Sequence, residues 1–367
     1  MYEQINDTEI IMRGLWVGLL AIGVSACVAA EEPAPLVQTK VGDYHGGNAP
    51  WHFDDHAATL RTASCPEGTA FERAVPLHIE ADAIDSGSAK QQAEQLQGMR
   101  FAGAWHLTAD DENFGGLSGL AVMRSGSLLA ISDAGAWVSI GIDPATGAPD
   151  GLGSIGYMRD ANGKFFATKR KGDSEGLAFH DGLALVSFEQ RHRIEAFDLE
   201  GCGMAARAAR VVRLPAVVGG KKVPDNRGAE ALSLFQGGGL QVGFEFRTRE
   251  GSPAGRVVAD RDLTDTSPLY QPGLYLLTGM DYRGDMMIHV FRAYDPLRGS
   301  RVRVRVSPVA GGDDIAFADL KSPLPVDNFE GVAFGAAPSG ATRIWLISDD
   351  NFNPDKQRTL LFAFDLD

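Results

Sequence analysis

Over most of its length the chain alternates short apolar runs with turns rich in Gly, Pro, Asp and Asn, a rhythm that suits brief β-strands better than long helices. Within that rhythm one five-residue word recurs: Ser118-Gly-Leu-Ala-Val, Glu175-Gly-Leu-Ala-Phe, Glu230-Ala-Leu-Ser-Leu and Glu330-Gly-Val-Ala-Phe. The first three begin at 118, 175 and 230, a period of about 55 residues, and the fourth begins about two periods later. A degenerate unit over Gly273 to Pro296, carrying Leu274-Tyr-Leu-Leu and Met286-Met-Ile-His-Val-Phe, fills that interval without the motif glutamate.

After each word come a turn and a second apolar run that ends in an acid: Leu128 to Asp133, Leu183 to Glu189, Leu240 to Glu245 and Ile344 to Asp349. Each unit therefore opens with a β-hairpin. A third strand is legible in two nearly identical words, Ala196-Phe-Asp-Leu-Glu200 and Ala363-Phe-Asp-Leu-Asp367. Three or four strands per unit is what a propeller blade requires, so the expectation is an all-β chain folded as a β-propeller of roughly five to six blades. The earlier segments Ala74 to Ala81 and Phe101 to Thr108 are expected to complete the last blade and close the ring without a free edge. Ala89 to Gln97 has helix-forming composition and no assigned role.

The N-terminus follows another logic. Met12-Arg13 precedes the apolar run Gly14 to Val24, and Val24-Ser25-Ala26-Cys27 resembles a bacterial lipobox. That resemblance implies acylation of Cys27 and cleavage before it, giving a signal peptide over 1–27, a tether over 28–60 and a propeller domain over 61–367. The acidic leader Met1 to Ile11 suits a signal poorly, which makes Met12 an alternative start. Val28 stands where an inner-membrane retention aspartate would be, so attachment to the periplasmic face of the outer membrane is favoured. Cys65 and Cys202 remain; an oxidising periplasm lets them pair as a disulfide, with two separate thiols as the alternative.

Composition then narrows the chemistry. With 44% hydrophobic residues the chain can bury a core, and a net charge of −14 repels nucleic acid while a clustered part of it would attract a hard cation. Hairpin geometry supplies the cluster. The first residue of one strand lies beside the last residue of the next, placing Glu175 near Glu189, Glu230 near Glu245 and Glu330 near Asp349, with Asp133 alone beside Ser118. Radial symmetry gathers these acids at one mouth of the channel. So many carboxylates either raise one another's pKa or bind metal, and hard oxygen donors in that number suit calcium. Glu175, Glu230, Glu330, Asp133 and Asp349 are the candidate ligands, with Asn351 from the run Asp349-Asp350-Asn351-Phe352-Asn353. A motif glutamate that only accepts hydrogen bonds from neighbouring backbones is the alternative. Basic residues frame the same rim, among them Lys169-Arg170-Lys171, Arg193, Arg247 and Lys356, and could share a phosphate with the metal. Ser118 is read as structural, and His52 and His56 as weak metal candidates within the tether.

Through Phe114-Gly-Gly-Leu-Ser-Gly-Leu120, Asp173-Ser-Glu-Gly-Leu-Ala-Phe179, Asn226-Arg-Gly-Ala-Glu-Ala-Leu232 and Ser348-Asp-Asp-Asn-Phe-Asn353, the chain resembles the phytase-like family of propeller proteins. The resemblance spans roughly Phe101 to Asp367 and implies a propeller with calcium-dependent phosphoester hydrolysis; the Asp-Asp-Pro-Ala word of alkaline β-propeller phytases is absent. On this reading Glu189 or Glu245 acts as general base while Arg193, Arg247 and Lys356 stabilise developing charge. The expected partners are a small ester or phosphoester substrate and, through the lipid, a membrane; a monomer is expected. Two other readings stay open: a non-catalytic, calcium-stiffened propeller that binds a ligand or protein, and a metal-dependent carboxylic ester or lactone hydrolase.

Overall fold

Each recurring word becomes the inner strand of a blade in the computed structural model, which describes residues 50–235, 237–258, 263–264, 267–269 and 273–367. Cys27, the signal peptide and most of the expected tether lie outside the described residues. No helix among those described is long and apolar enough to cross a membrane.

Five inner strands, Leu117–Val122, Ser174–His180, Ala231–Phe235, Leu276–Arg283 and Asn328–Ala336, lie side by side in cyclic order, with the fifth against the first. Each is followed outward by antiparallel neighbours. Blade one adds Leu128–Ser132, Ala136–Ile142 and Pro149–Tyr157, and blade two adds Leu183–Phe188, Arg193–Asp198 and Ala209–Arg213. The degenerate interval is indeed a blade, the fourth, with Met286–Asp295, Gly299–Pro308 and Ala316–Leu320 outside its inner strand. Blade five takes its fourth strand, Met99–Ala109, from the start of the fold, paired with Leu360–Leu366. Val75–Ala83 then pairs with Met99–Ala109 on one side and with Pro149–Tyr157 on the other, sewing blade five to blade one.

The apolar residues form five clusters, one between each successive pair of blades. Within one strand Leu183 and Leu185 face blade three, while Ala184 and Val186 face blade one. Because side chains alternate across a strand and both faces are covered, the strands read as unbroken apolar runs. Glycines of the recurring word, and Gly279 at the matching place in blade four, make the close packing at the axis possible. A Cβ on Gly119, Gly176 or Gly279 would stand 2.9, 2.8 or 2.3 Å from the backbone oxygen of Glu175, Glu230 or Glu330 in the next blade. Only a residue without a side chain allows inner strands to approach so closely.

The folded body begins earlier than the 61–367 boundary. Trp51, Phe53 and Leu60 are buried in the cluster between blades two and three, and Phe53–Ser64 is a helix packed on blade two. Residues 50–60 therefore belong to the body and not to the tether. His52 Nδ1 donates to the Gly237 oxygen at 2.7 Å and His56 stacks on Trp51, so neither forms a metal pair. Cys65 and Cys202 form a disulfide that ties the end of this helix to blade two. The segment after Ser88 is a helix over Ala89–Gln95 closed by a Ser88/Gln91 capping box, followed by Leu96–Gln97 on the edge of blade four.

Candidate metal centre

Two positions in each blade lie toward one rim of the channel: one at or near the start of the inner strand and one at or near the end of the second strand. In blade order the first is Ser118, Glu175, Glu230, Thr278 and Glu330; the second is Asp133, Glu189, Glu245, Arg292 and Asp349. Hairpin register fixes the pairs. Arg292 opposes Leu276 and Asp349 opposes Asn328, and the bulge that follows in each inner strand falls at Thr278 and at Glu330; in blade two the bulge after Ser174 likewise takes in Glu175.

The three motif glutamates meet on the axis. Ligand oxygens of Glu175, Glu230 and Glu330 lie within 4.8 Å of one another, as do those of Asp173, Glu175 and Glu189. Asp133, Asp173, Glu175, Glu189, Glu230, Glu245, Glu330, Asp349 and Asp350 are each no more than one-tenth exposed. Burial drives the Glu175, Glu230 and Glu330 carboxyls well above the usual range, and neighbouring acids push further, though Arg292 opposes the rise at Glu330. Glu189 and Asp349 are each raised to about 7, again chiefly by burial.

Among the described residues, the backbone amides that reach this ring go to Glu189 from Gly228, to Asp349 from Asn351 and to Asp350 from Gly116 and Phe352; none goes to Glu175 or Glu230. A register-fixing role for those two glutamates finds no support in this pattern. Instead hydroxyls join the blades: Ser118 Oγ donates to the Ser174 oxygen at 2.7 Å and Thr278 Oγ1 to the Phe329 oxygen at 3.2 Å. Ser118 is thus structural, as its sequence context implied.

Cations enter at two places. Lys169 pairs with Asp133 and lies 3.6 Å from Asp173; burial opposes its charge, yet these acids hold its pKa above the usual lysine value. On the far side of the ring Arg292 contacts Glu245 at 2.5 Å and Glu330 at 3.2 Å. Its pKa is likewise raised by Glu330 and Glu245 against the effect of burial. Asn328, buried, donates to Glu330 at 2.9 Å and to Asp349 at 3.2 Å.

The other basic residues singled out from sequence are placed differently. Arg193 is buried, pairs with Glu195 at 3.0 Å and lies over the Phe188 ring at 4.1 Å, so it is held in the blade. Arg247 donates to the Gly273 oxygen and Lys356 is exposed in the loop before the last strand; neither has an ion pair with the ring among the described residues. Asn351 is exposed in a left-handed turn with Phe352, φ 51° and 48°, and its backbone rather than its side chain meets Asp349. The buried amide at the ring is that of Asn328. Arg292 and Asn328 escaped notice because neither shares a word with the other blades; Asp173, two residues before Glu175, was visible only as part of a motif.

A hard cation fits what is present. All donors are oxygens; Asp133 Oδ1 is buried without a hydrogen-bond partner, and Asp173 Oδ1 has none either, its ion pair with Lys169 standing at 3.6 Å. Buried unsatisfied carboxylate oxygens are costly, and ion coordination is an ordinary way of satisfying them.

A model of the phytase-like family, described as having the esterase-like activity of phytase, matches residues 112–352, well over half of the chain. The chain belongs to the phytase-like family. No curated protein matches it. Among solved structures it is similar to the PQQ-bound aldose sugar dehydrogenase of Streptomyces coelicolor, at 13% identity and TM-score 0.43 over 74% of this chain and 97% of that one. It is also similar to the glutaminyl cyclase of Myxococcus xanthus, at 14% identity and TM-score 0.42 over 74% and 97%. A third is the calcium structure of a family AA12 carbohydrate-active enzyme of Trichoderma reesei, at 10% identity and TM-score 0.37 over 82% and 100%.

Proposed function

We propose that this phytase-like protein is a divalent-metal-dependent ester hydrolase, with calcium as its ion and phosphoesters as its first substrate class. The supporting observation is the meeting at Glu175 of two acidic trios, Asp173–Glu175–Glu189 and Glu175–Glu230–Glu330, each with its oxygens within ligand reach, beside an Asp133 Oδ1 that is buried without a hydrogen-bond partner. When bound, the cation supplies Lewis-acid polarisation of the ester and acidifies neighbouring water. Glu175, Glu230 and Glu330 would hold it from the inner strands, with Asp173 from blade two. Of the two general-base candidates, Glu245 is tied to Arg292, whereas Glu189 has a carboxyl raised to about 7 and fixed at one oxygen by the Gly228 amide. Glu189 is therefore the better proton acceptor near neutral pH. Arg193, Arg247 and Lys356 are replaced in this reading by Lys169 and Arg292 as the cations beside the ring.

A lipid on Cys27 would hold the enzyme at the periplasmic face of a bacterial membrane, the outer one by preference. Near-complete burial of the ring favours a second reading, in which calcium only stiffens the propeller. Calorimetric titration of calcium into EDTA-stripped protein beginning after Cys27, followed by assays on matched phosphomonoesters and carboxylic esters, separates these. Saturable binding with calcium-dependent turnover supports the hydrolase, and the preferred ester decides between phosphatase and carboxylesterase or lactonase. Binding without turnover leaves the stiffened scaffold. Absence of binding, or full calcium affinity in Glu175→Gln/Glu330→Gln, removes the metal centre.

A further inference from the structure

Nine of the ten rim positions are acids or hydroxyls; the tenth is Arg292. Fivefold repetition puts an acid at the second position of blades one, two, three and five, so blade four alone offers a positive group there. Its first position is also altered, because Thr278 spends its hydroxyl on the Phe329 oxygen. Blade four therefore contributes no carboxylate to the ring, and what it presents is a guanidinium whose side chain keeps 23% of its exposure.

Resting on the proposed metal-dependent reading, we infer that Arg292 is the anion-binding residue of the site, seating the negatively charged group of the substrate between itself and the cation. A guanidinium carries five N–H donors in a planar fork, and the two ring contacts of Arg292 leave several of them for an anion. Glu245 at 2.5 Å fixes one end of the fork. At the other end the contact is longer, 3.2 Å, and its acceptor is shared: the same Glu330 oxygen also receives the Asn328 amide, while Glu330 belongs to the axial trio. Glu330 thus has somewhere else to direct its charge when a cation is present. Engagement of Glu330 on the axis frees the outer Nη1 of Arg292, which makes anion binding at this arginine depend on the cation. The coupling is reciprocal, so the anion should also tighten the cation. Lys169 lies across the ring beside blades one and two, and pairs with Asp133 and Asp173, so it does not compete for this place.

The test uses inorganic phosphate as the probe, titrated calorimetrically into the folded propeller protein with saturating calcium and again in EDTA. For the wild type, phosphate binds more tightly with calcium than without. Arg292→Lys keeps the charge and loses the fork, and is expected to weaken phosphate about 10-fold; Arg292→Gln is expected to weaken it about 100-fold, the range of a charge-assisted bidentate contact. Calcium affinity measured without phosphate should stay within about threefold in both variants. Phosphate binding unchanged in Arg292→Gln, calcium binding lost along with the arginine, or no phosphate binding by the calcium-loaded wild type would each overturn the inference; the second outcome would mark Arg292 as a mere counter-ion. If Arg292→Gln does not fold, Arg292→Lys decides alone. A wild type that binds phosphate through Arg292 but hydrolyses no ester removes the hydrolase reading and leaves the anion seat standing.

Discussion

Replacing Glu230 by Gln should stabilise the metal-free protein and weaken its hold on calcium. Glu230 has oxygens within 4.8 Å of those of Glu175 and Glu330, and no backbone amide among the described residues bonds to it. Two full charges at that distance repel by about 3–4 kcal/mol at an effective dielectric constant of about 20. The metal-free ring meets this cost partly by repulsion and partly by taking up protons, so at pH 8 the amide should gain about 3 kcal/mol. With an unfolding entropy of about 2.1 cal/mol/K per residue over roughly 300 residues, that is a rise in Tm of about 5 °C. Differential scanning fluorimetry in EDTA and in excess calcium measures both sides. In calcium the order reverses, because the variant has lost one ligand and the calcium-induced rise in Tm shrinks. A Glu230→Gln variant that melts lower than wild type in EDTA would instead mark a glutamate whose buried hydrogen bonds fix blade register.

Three other outcomes follow from the same geometry. Glu189, raised from 4.5 to about 7, adds stability that is complete below its unfolded pKa and is lost as pH rises through 7, so metal-free stability should fall by about 3 kcal/mol from pH 5 to pH 8 on its account; urea melts across that range check it, and a flat profile in EDTA would contradict it. Gly279→Ala places a Cβ 2.3 Å from the Glu330 oxygen and should cost about 1–3 kcal/mol while weakening calcium binding, whereas an unchanged melt and titration would show that the inner strands have slack. Replacing both Cys65 and Cys202 by Ser opens a link spanning 137 positions and should cost about 2–5 kcal/mol; an unaltered Tm under non-reducing conditions would show that the first helix is held by packing alone.

The repeated word Glu-Gly-Leu-Ala-Phe made the blades legible because one short string answers several physical demands together. Its glycine lets the inner strands touch, its apolar residues face two neighbouring blades, and its glutamate reaches the axis. Closure by Phe101 to Thr108 was legible for the same kind of reason, since a last blade short of a strand must find one. The helix Phe53–Ser64 was not. Its apolar content is modest, and only Phe53, Leu60 and Ser64 are buried, so nothing in the pattern distinguished it from a polar linker. Arg193 was misread because proximity in sequence to the rim says nothing about which side of a strand a side chain takes; cross-strand Phe188 and nearby Glu195 claim it.

In a fold built by repetition, what repeats answers to the fold, and departures from repetition are where distinct chemistry can enter. Ser118 and Thr278 depart at the first rim position and both spend their hydroxyls on the next blade, so these two departures are structural. Arg292 departs at the second position and is not spent in that way: it faces two of the ring's acids and retains exposure. Had blade four kept an acid there, no rim position would carry a positive group and Lys169, already paired with Asp133 and Asp173, would be the one cation beside the ring. With a guanidinium in its place, the rim has a positive side that a substrate anion can use while the axial glutamates hold a metal. Reversing that one residue, Arg292→Glu, restores the repeat and should leave a protein that binds calcium at least as tightly as wild type yet no longer binds phosphate. Calorimetry with both ions reads this directly, and retention of phosphate binding in that variant would mean that the break in symmetry has no bearing on ligand choice.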